Sequence, residues 1–208
     1  MTAPRNLPPA RLGIFGGSFN PVHLGHLLLA QTACEQFDLD RVLFMPCAVQ
    51  PHKQPRTLAP AEQRLAMVEA AIMDNPAFEL LDIECRRGGI SYTVDSLREL
   101  NQLYPGDELH FMIGTDTLLE LHGWKDIGTV LALCRFIVLA RPGYDVPAPG
   151  RLKLPLPWPD RLLENVCRLR QVDISSSDIR HRVAEGMGIR YLVPQSVEMM
   201  IREHHLYQ

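Results

Sequence analysis

The sequence predicts an α/β protein in which a parallel sheet is covered by helices on both faces. Short apolar runs rich in strand formers alternate with longer stretches of helical spacing, the signature of such a sheet. The chain has 208 residues, enough for one substantial core. Glycine, histidine and serine cluster where strands end and helices begin, the edge at which these sheets collect ligands.

The elements follow in order. LGIF (12–15) opens as a strand and residues 23–37 carry helical spacing. RVLFM (41–45) is the second strand, and a helix spans 60–74, with Pro60 in its first turn and Asn75-Pro76 closing it. FELLDIE (78–84), LHFMI (109–113) and RFIVLA (135–140) read as strands, with helices at 93–103 and 126–133 between them. Residues 141–160, RPGYDVPAPGRLKLPLPWPD, hold six prolines and read as a surface loop without regular structure. VCRLRQV (166–172) is a candidate sixth strand, and helices at 177–185 and near 195–205 form a C-terminal helical extension. No internal repeat and no low-complexity tract appears. The expectation is one domain over 1–208, with a loose start at 1–10.

Composition narrows the function. Lys and Arg total 21 against 24 Asp and Glu, a net charge of −3 with no run of one sign. That speaks against a nucleic-acid or anionic-membrane surface, while leaving room for a local basic pocket. No apolar run approaches the roughly 20 residues of a membrane span, and MTAPRNLPPA lacks the apolar middle of a secretory signal. The 5 cysteines are scattered with no CxxC pair, so reduced thiols in a cytoplasmic protein are expected.

The densest chemistry lies in GGSFNPVHLGH, residues 16–26. It is neither a Walker loop nor GxGxxG. Gly16 and Gly17 allow backbone to approach a ligand, and Asn20-Pro21 turns the chain. His23 and His26 share a face at the start of a helix, whose unpaired N–H groups and dipole favour an anion. They can donate to phosphate oxygens and, as imidazolium, neutralise developing charge. The plainer reading is two solvent-exposed capping histidines. A zinc site lacks HExxH and a third ligand, so no protein-held metal is expected. Further on, ISSSDIR (174–180) follows a strand and starts a helix: Ser175, Ser176 and Ser177 supply a cap and donors, with Arg180 one turn on.

GGSFNPVHLGH resembles the first signature of the nucleotidyltransferase superfamily bearing HxGH or TxGH, and ISSSDIR resembles its ISSTxIR. PHK (51–53), the run from Glu84 to Leu97, and IGTDTLLELHGWKD (113–126) extend the likeness along most of the chain. Together they resemble the bacterial nicotinate-nucleotide adenylyltransferases. The resemblance implies a Rossmann-like fold and transfer of the adenylyl group of ATP to nicotinate mononucleotide, giving nicotinate adenine dinucleotide and pyrophosphate. An acceptor phosphate is already anionic, so the reaction asks for positioning and charge stabilisation rather than a base. Mg²⁺ would come with ATP, held mainly by the triphosphate oxygens.

The implied roles are specific. His23, His26 and Arg180 would be catalytic. Gly16, Gly17, Ser18, Phe19, Gly25, Gly114, Asp116, Ser176 and Ser177 would contact ATP, Asp116 through sugar hydroxyls. His52 and Lys53 would meet the mononucleotide phosphate. Thr93 and Lys125 would offer backbone N–H groups to the nicotinate carboxylate, and Trp124 would stack on the pyridine ring. Plainer readings stand beside these: PHK as a solvated loop, Trp124 as a packing residue, Asp116 as a helix cap. Departures from the family pattern are Ile90 for a common proline, and Ser96 and Ser177 for threonines. Two rivals stay open: the same transfer to another acceptor, such as nicotinamide mononucleotide or phosphopantetheine, and a nucleotide-binding sensor without turnover. Oligomeric state has no signature in the sequence.

Overall fold

The structure, a computed structural model, describes residues 8–51, 58–140, 145–167 and 172–208. Six strands form one sheet: β1 (Arg11–Gly17), β2 (Arg41–Pro46), β3 (Phe78–Leu80), β4 (Glu108–Gly114), β5 (Arg135–Leu139) and β6 (Val166–Cys167). Their order is β3-β2-β1-β4-β5-β6 and every pairing is parallel. The chain reverses direction across the sheet between β1 and β4, so the crevice at their carboxyl ends is the natural ligand site.

Strand residues alternate between two cores. Phe15, Val42, Phe44, Met112, Ile137 and Leu139 face one side, where they meet α1 (Leu24–Gln36), α2 (Ala61–Ile72), α8 (Ser176–Ala184) and α9 (Gln195–Glu203). Leu12, Ile14, Leu43, Met45, Phe111, Ile113, Phe136 and Val138 face the other. There they meet α3 (Ile83–Arg87), α4 (Thr93–Leu103), α5 (Thr115–Leu118), α6 (Ile127–Leu133) and α7 (Trp158–Glu164). The period-2 geometry of a strand makes this two-sided burial possible from one apolar run. The C-terminal helices are therefore not an appendage: Ile179, Val197 and Ile201 are buried in the same core as α1 and α2.

Two expectations are corrected. The strand expected over 78–84 stops at Leu80, and Ile83 begins α3 with its side chain still buried. The apolar run continues, but its second half serves a helix. Residues 141–160 are not devoid of regular structure: a 3₁₀ turn occupies Pro149–Arg151, and α7 begins at Trp158. Proline is tolerated in a first helical turn, where its missing N–H costs nothing, and Pro159 sits there. Leu152 is buried in the second core, so part of the stretch is anchored. The candidate strand at 166–172 begins as β6, Val166 and Cys167, paired with β5; residues 168–171 lie outside the described residues.

All five cysteines are free thiols. Burial pushes Cys47 and Cys134 up to about 12 and Cys167 to about 11, so they are unreactive packing groups. Among the described residues no helix is long and apolar enough to cross a membrane.

Candidate active site

At the carboxyl end of β1 the chain passes through Gly16, Gly17, Ser18 and Phe19 into the start of α1. Gly16 sits over Phe111 of β4, whose ring would lie 3.3 Å from any Cβ placed there. Phe19 has a left-handed φ of 44° and is 1% exposed. Its ring packs 5.1 Å from His26 and also against Phe15 and Phe44. The ring is spent supporting an imidazole, so the ATP contact expected of Phe19 would rest on its backbone.

His23 caps α1 and His26 is its third residue. Their rings stack at 3.6 Å with 28° between planes. Each Nδ1 accepts the other's backbone N–H, His26 N–H to His23 at 3.3 Å and His23 N–H to His26 at 3.2 Å. This reciprocal capping box is built from two histidines rather than a serine and a glutamate. With Nδ1 turned to a backbone N–H in each ring, Nε2 is the atom left to donate toward a ligand. The histidines do cap the helix, yet they are not a solvated cap: His23 is 2% exposed. Gly25 is required between them, since a Cβ there would stand 3.0 Å from His23 Nδ1.

The second motif locks onto the first. Ser175 caps α8 by accepting Asp178 N–H at 3.1 Å. Ser176 Oγ donates to the Pro21 carbonyl at 2.9 Å. The Arg180 guanidinium donates to the Asn20 carbonyl at 2.8 Å and to Ser177 Oγ at 3.3 Å. The first N–H of α1, at Leu24, is taken by the Leu192 carbonyl. Ser176 and Pro21 are 155 residues apart in sequence, yet this bond ties the start of α8 to the loop that leads into α1.

Beside them, β4 ends at Gly114, and Asp116 lies half-buried in the first turn of α5. Thr93 is the first residue of α4, and Lys125 reaches back to that helix start. Its Nζ is 2.9 Å from Asp95 Oδ2 and 4.4 Å above the Tyr92 ring. Arg98 adds contacts to Asp95 at 3.7 Å and Asp126 at 2.9 Å. Trp124 is half-buried and packs edge-on against Phe111, at 6.0 Å and 89°. Phe111 so touches both the glycine exit of β1 and the Trp124 segment. His52 and Lys53 lie outside the described residues. Among the described residues no group of three or more His, Cys, Asp or Glu side chains could hold a metal ion.

Two supporting groups lie outside the residues that the sequence points to as ligand contacts. Arg64, 1% exposed, donates to the carbonyls of Ala59 (3.0 Å), Ser18 (2.9 Å), Cys47 (2.8 Å) and Ala48 (3.3 Å). It binds the loop after β1 to the loop after β2. In sequence it is one more cation on a helical stretch. Glu84, 5% exposed, accepts from Ser96 Oγ at 2.5 Å, and Arg87 donates to the same hydroxyl at 2.7 Å. Burial raises its carboxyl above the usual range, partly offset by hydrogen bonds from Ser96 and Ser91. Ser91 Oγ also accepts Ala48 N–H at 3.0 Å, so this network joins the α4 start to the β2 loop.

Comparisons with known proteins agree with this geometry. Residues 14–182 match the family described as cytidylyltransferase-like. The chain is 43% identical to the probable nicotinate-nucleotide adenylyltransferase of Desulfitobacterium hafniense (strain Y51), over 98% of both chains. It is 41% identical to the corresponding protein of Lactiplantibacillus plantarum, over 97% of this chain and 90% of that one. The nicotinic acid mononucleotide adenylyltransferase of Plasmodium falciparum, solved with NaAD, superposes with a TM-score of 0.74 at 18% identity, over 95% and 97% of the two chains. That likeness speaks for the fold alone. From the breadth of the match and the identity to its curated relatives, the chain belongs to the cytidylyltransferase-like family, among the nicotinate-nucleotide adenylyltransferases.

Proposed function

We propose that this enzyme transfers the adenylyl group of Mg-ATP to nicotinate mononucleotide, forming nicotinate adenine dinucleotide and pyrophosphate for NAD synthesis in the cytoplasm, with 1–208 acting as one domain. What supports this above all is the interlock of the two helix starts, in which Arg180 and Ser176 bond the loop that carries the imidazoles.

In the proposed mechanism the mononucleotide phosphate oxygen attacks the α-phosphorus in line, and the bond to the β-phosphate oxygen breaks. No protein-bound intermediate forms. His23 and His26 donate Nε2–H bonds to the α-phosphoryl oxygens as charge moves toward the leaving group. Arg180, with Ser177 and the N–H groups at the start of α8, holds the β- and γ-phosphates. Gly16, Gly17, Ser18, Phe19 and Gly25 offer backbone to the ATP phosphates, and Gly114 and Asp116 meet the adenosine ribose. Mg²⁺ enters as part of the substrate, neutralising triphosphate charge.

On the acceptor side, Trp124 stacks on the pyridine ring while Thr93 and Lys125 N–H groups clamp the carboxylate. His52 and Lys53 meet the mononucleotide phosphate. The salt bridge from Lys125 to Asp95 supports this reading, because it ties the Trp124–Lys125 segment to the helix that Thr93 begins. The test is pyrophosphate release with ATP and either nicotinate or nicotinamide mononucleotide. The expected result is release with a higher kcat/KM for nicotinate. Equal or better use of nicotinamide would overturn the acceptor, and no release with either would favour the sensor.

A further inference from the structure

Segments distant in sequence meet on Asn20, a residue just ahead of the imidazoles and 1% exposed. Its Oδ1 accepts Ala59 N–H at 3.0 Å and the Tyr207 hydroxyl at 2.8 Å. Its own carbonyl accepts the Arg180 guanidinium at 2.8 Å. The next carbonyl, of Pro21, accepts Ser176. One residue thus receives the end of the chain on its side chain and the second motif on its backbone.

Tyr207 is the penultimate residue, and the path that delivers it is costly. After α9 both His205 (φ 49°) and Tyr207 (φ 65°) are left-handed, a region that residues with a Cβ avoid. Leu206 between them is 8% exposed and packs in the core beside α9. Such a turn persists where tertiary contacts hold it, and the contacts here are a buried leucine and one phenol hydrogen bond. Burial lifts the phenol above its ordinary range against the opposing charges of Arg180 and Arg64, so it stays an O–H donor.

We propose that Tyr207 is a positioning residue for adenylyl transfer: its hydroxyl fixes Asn20, and through the Asn20 carbonyl it fixes the Arg180 guanidinium beside the imidazoles. The inference rests on the function proposed above and makes the segment after α9 a working part of the ATP-binding half. Loss of the hydroxyl leaves Ala59 as the sole partner of these two on Oδ1, so the peptide planes that receive Arg180 and Ser176 loosen.

The test compares wild type, Tyr207→Phe, Arg180→Lys and the double variant. Pyrophosphate release gives kcat and both KM values, and thermal unfolding is followed alongside. Tyr207→Phe should lower kcat about three- to tenfold, the scale of one neutral hydrogen bond. KM for the mononucleotide should stay unchanged, the unfolding midpoint should fall by about 2–4 °C, the share of one buried hydrogen bond in a chain of this size, and the kcat loss should vanish in the Arg180→Lys background. Unchanged kcat, a loss that persists undiminished in the double variant, or a kcat loss confined to temperatures at which the protein has begun to unfold would each overturn the inference. A wild type without turnover defeats the proposed function itself, and is distinguishable because it needs no variant.

Discussion

The two halves of the site are built differently. The half assigned to ATP is tied by buried and half-buried hydrogen bonds to backbone: Arg64 on four carbonyls, Arg180 and Ser176 on Asn20 and Pro21, and the histidines on each other's N–H groups. The half assigned to the mononucleotide is tied at its rim by ion pairs of exposed side chains, Lys125 to Asp95 and Arg98 to Asp126. Salt and solvent weaken the second kind of bond and hardly touch the first. The difference teaches where precision is needed. Charge must be met at fixed distances where the P–O bond breaks, whereas the acceptor has only to be seated.

This contrast can be broken or sharpened by mutation. The largest effect should come from His26→Ala, with turnover falling about 10²- to 10³-fold and KM for ATP changing little. Pyrophosphate-release kinetics check it; unchanged kcat in both His23→Ala and His26→Ala would end the assigned role. Next is Arg64→Ala, which strands four buried carbonyls and leaves a cavity. A loss of roughly 3–5 kcal/mol in denaturant unfolding is expected. Smaller is Gly25→Ala, whose methyl would push the His23 ring; about a tenfold loss of kcat is expected with little loss of stability. Smallest is Lys125→Ala, which should cost under about 1 kcal/mol of stability and raise KM for the mononucleotide a few-fold, with kcat kept. If Lys125→Ala instead lowers kcat as much as Gly25→Ala, the contrast between the halves fails.

Glu84 adds a pH signature beneath the acceptor half. Its folded carboxyl lies above its ordinary value of 4.5 because burial disfavours the charge. The folded protein therefore keeps a proton that the unfolded chain releases. That contribution is present at and below this ordinary value and is lost as pH rises through the folded one. Glu84→Gln should accordingly gain stability relative to wild type as pH climbs toward neutrality, read from unfolding midpoints across pH. A difference that does not change with pH would contradict the burial effect.

The sequence carried much of this, for physical reasons that differ by element. Long periodic stretches such as 23–37 and 93–103 announced α1 and α4, and the apolar runs announced five strands. The short helices α3 and α7 escaped: the five residues of α3 make no readable period, and the prolines around α7 hide the period of its seven. Pro157 and Pro159 were legible as breakers, yet proline also starts helices. Of the site, the motif residues were legible because their chemistry is local to two helix starts. Arg64 and Tyr207 were not, since each acts only on segments far along the chain. The mutual capping of His23 and His26 lay between these cases: the spacing allowed it, but only coordinates give the ring orientation.

The most direct test is a crystal structure with an ATP analogue whose α–β bridge resists cleavage. The Nε2 atoms of His23 and His26 and the Arg180 guanidinium should lie within hydrogen-bond reach of one triphosphate. A triphosphate that touches one helix start and leaves the other in a separate cavity would contradict the account.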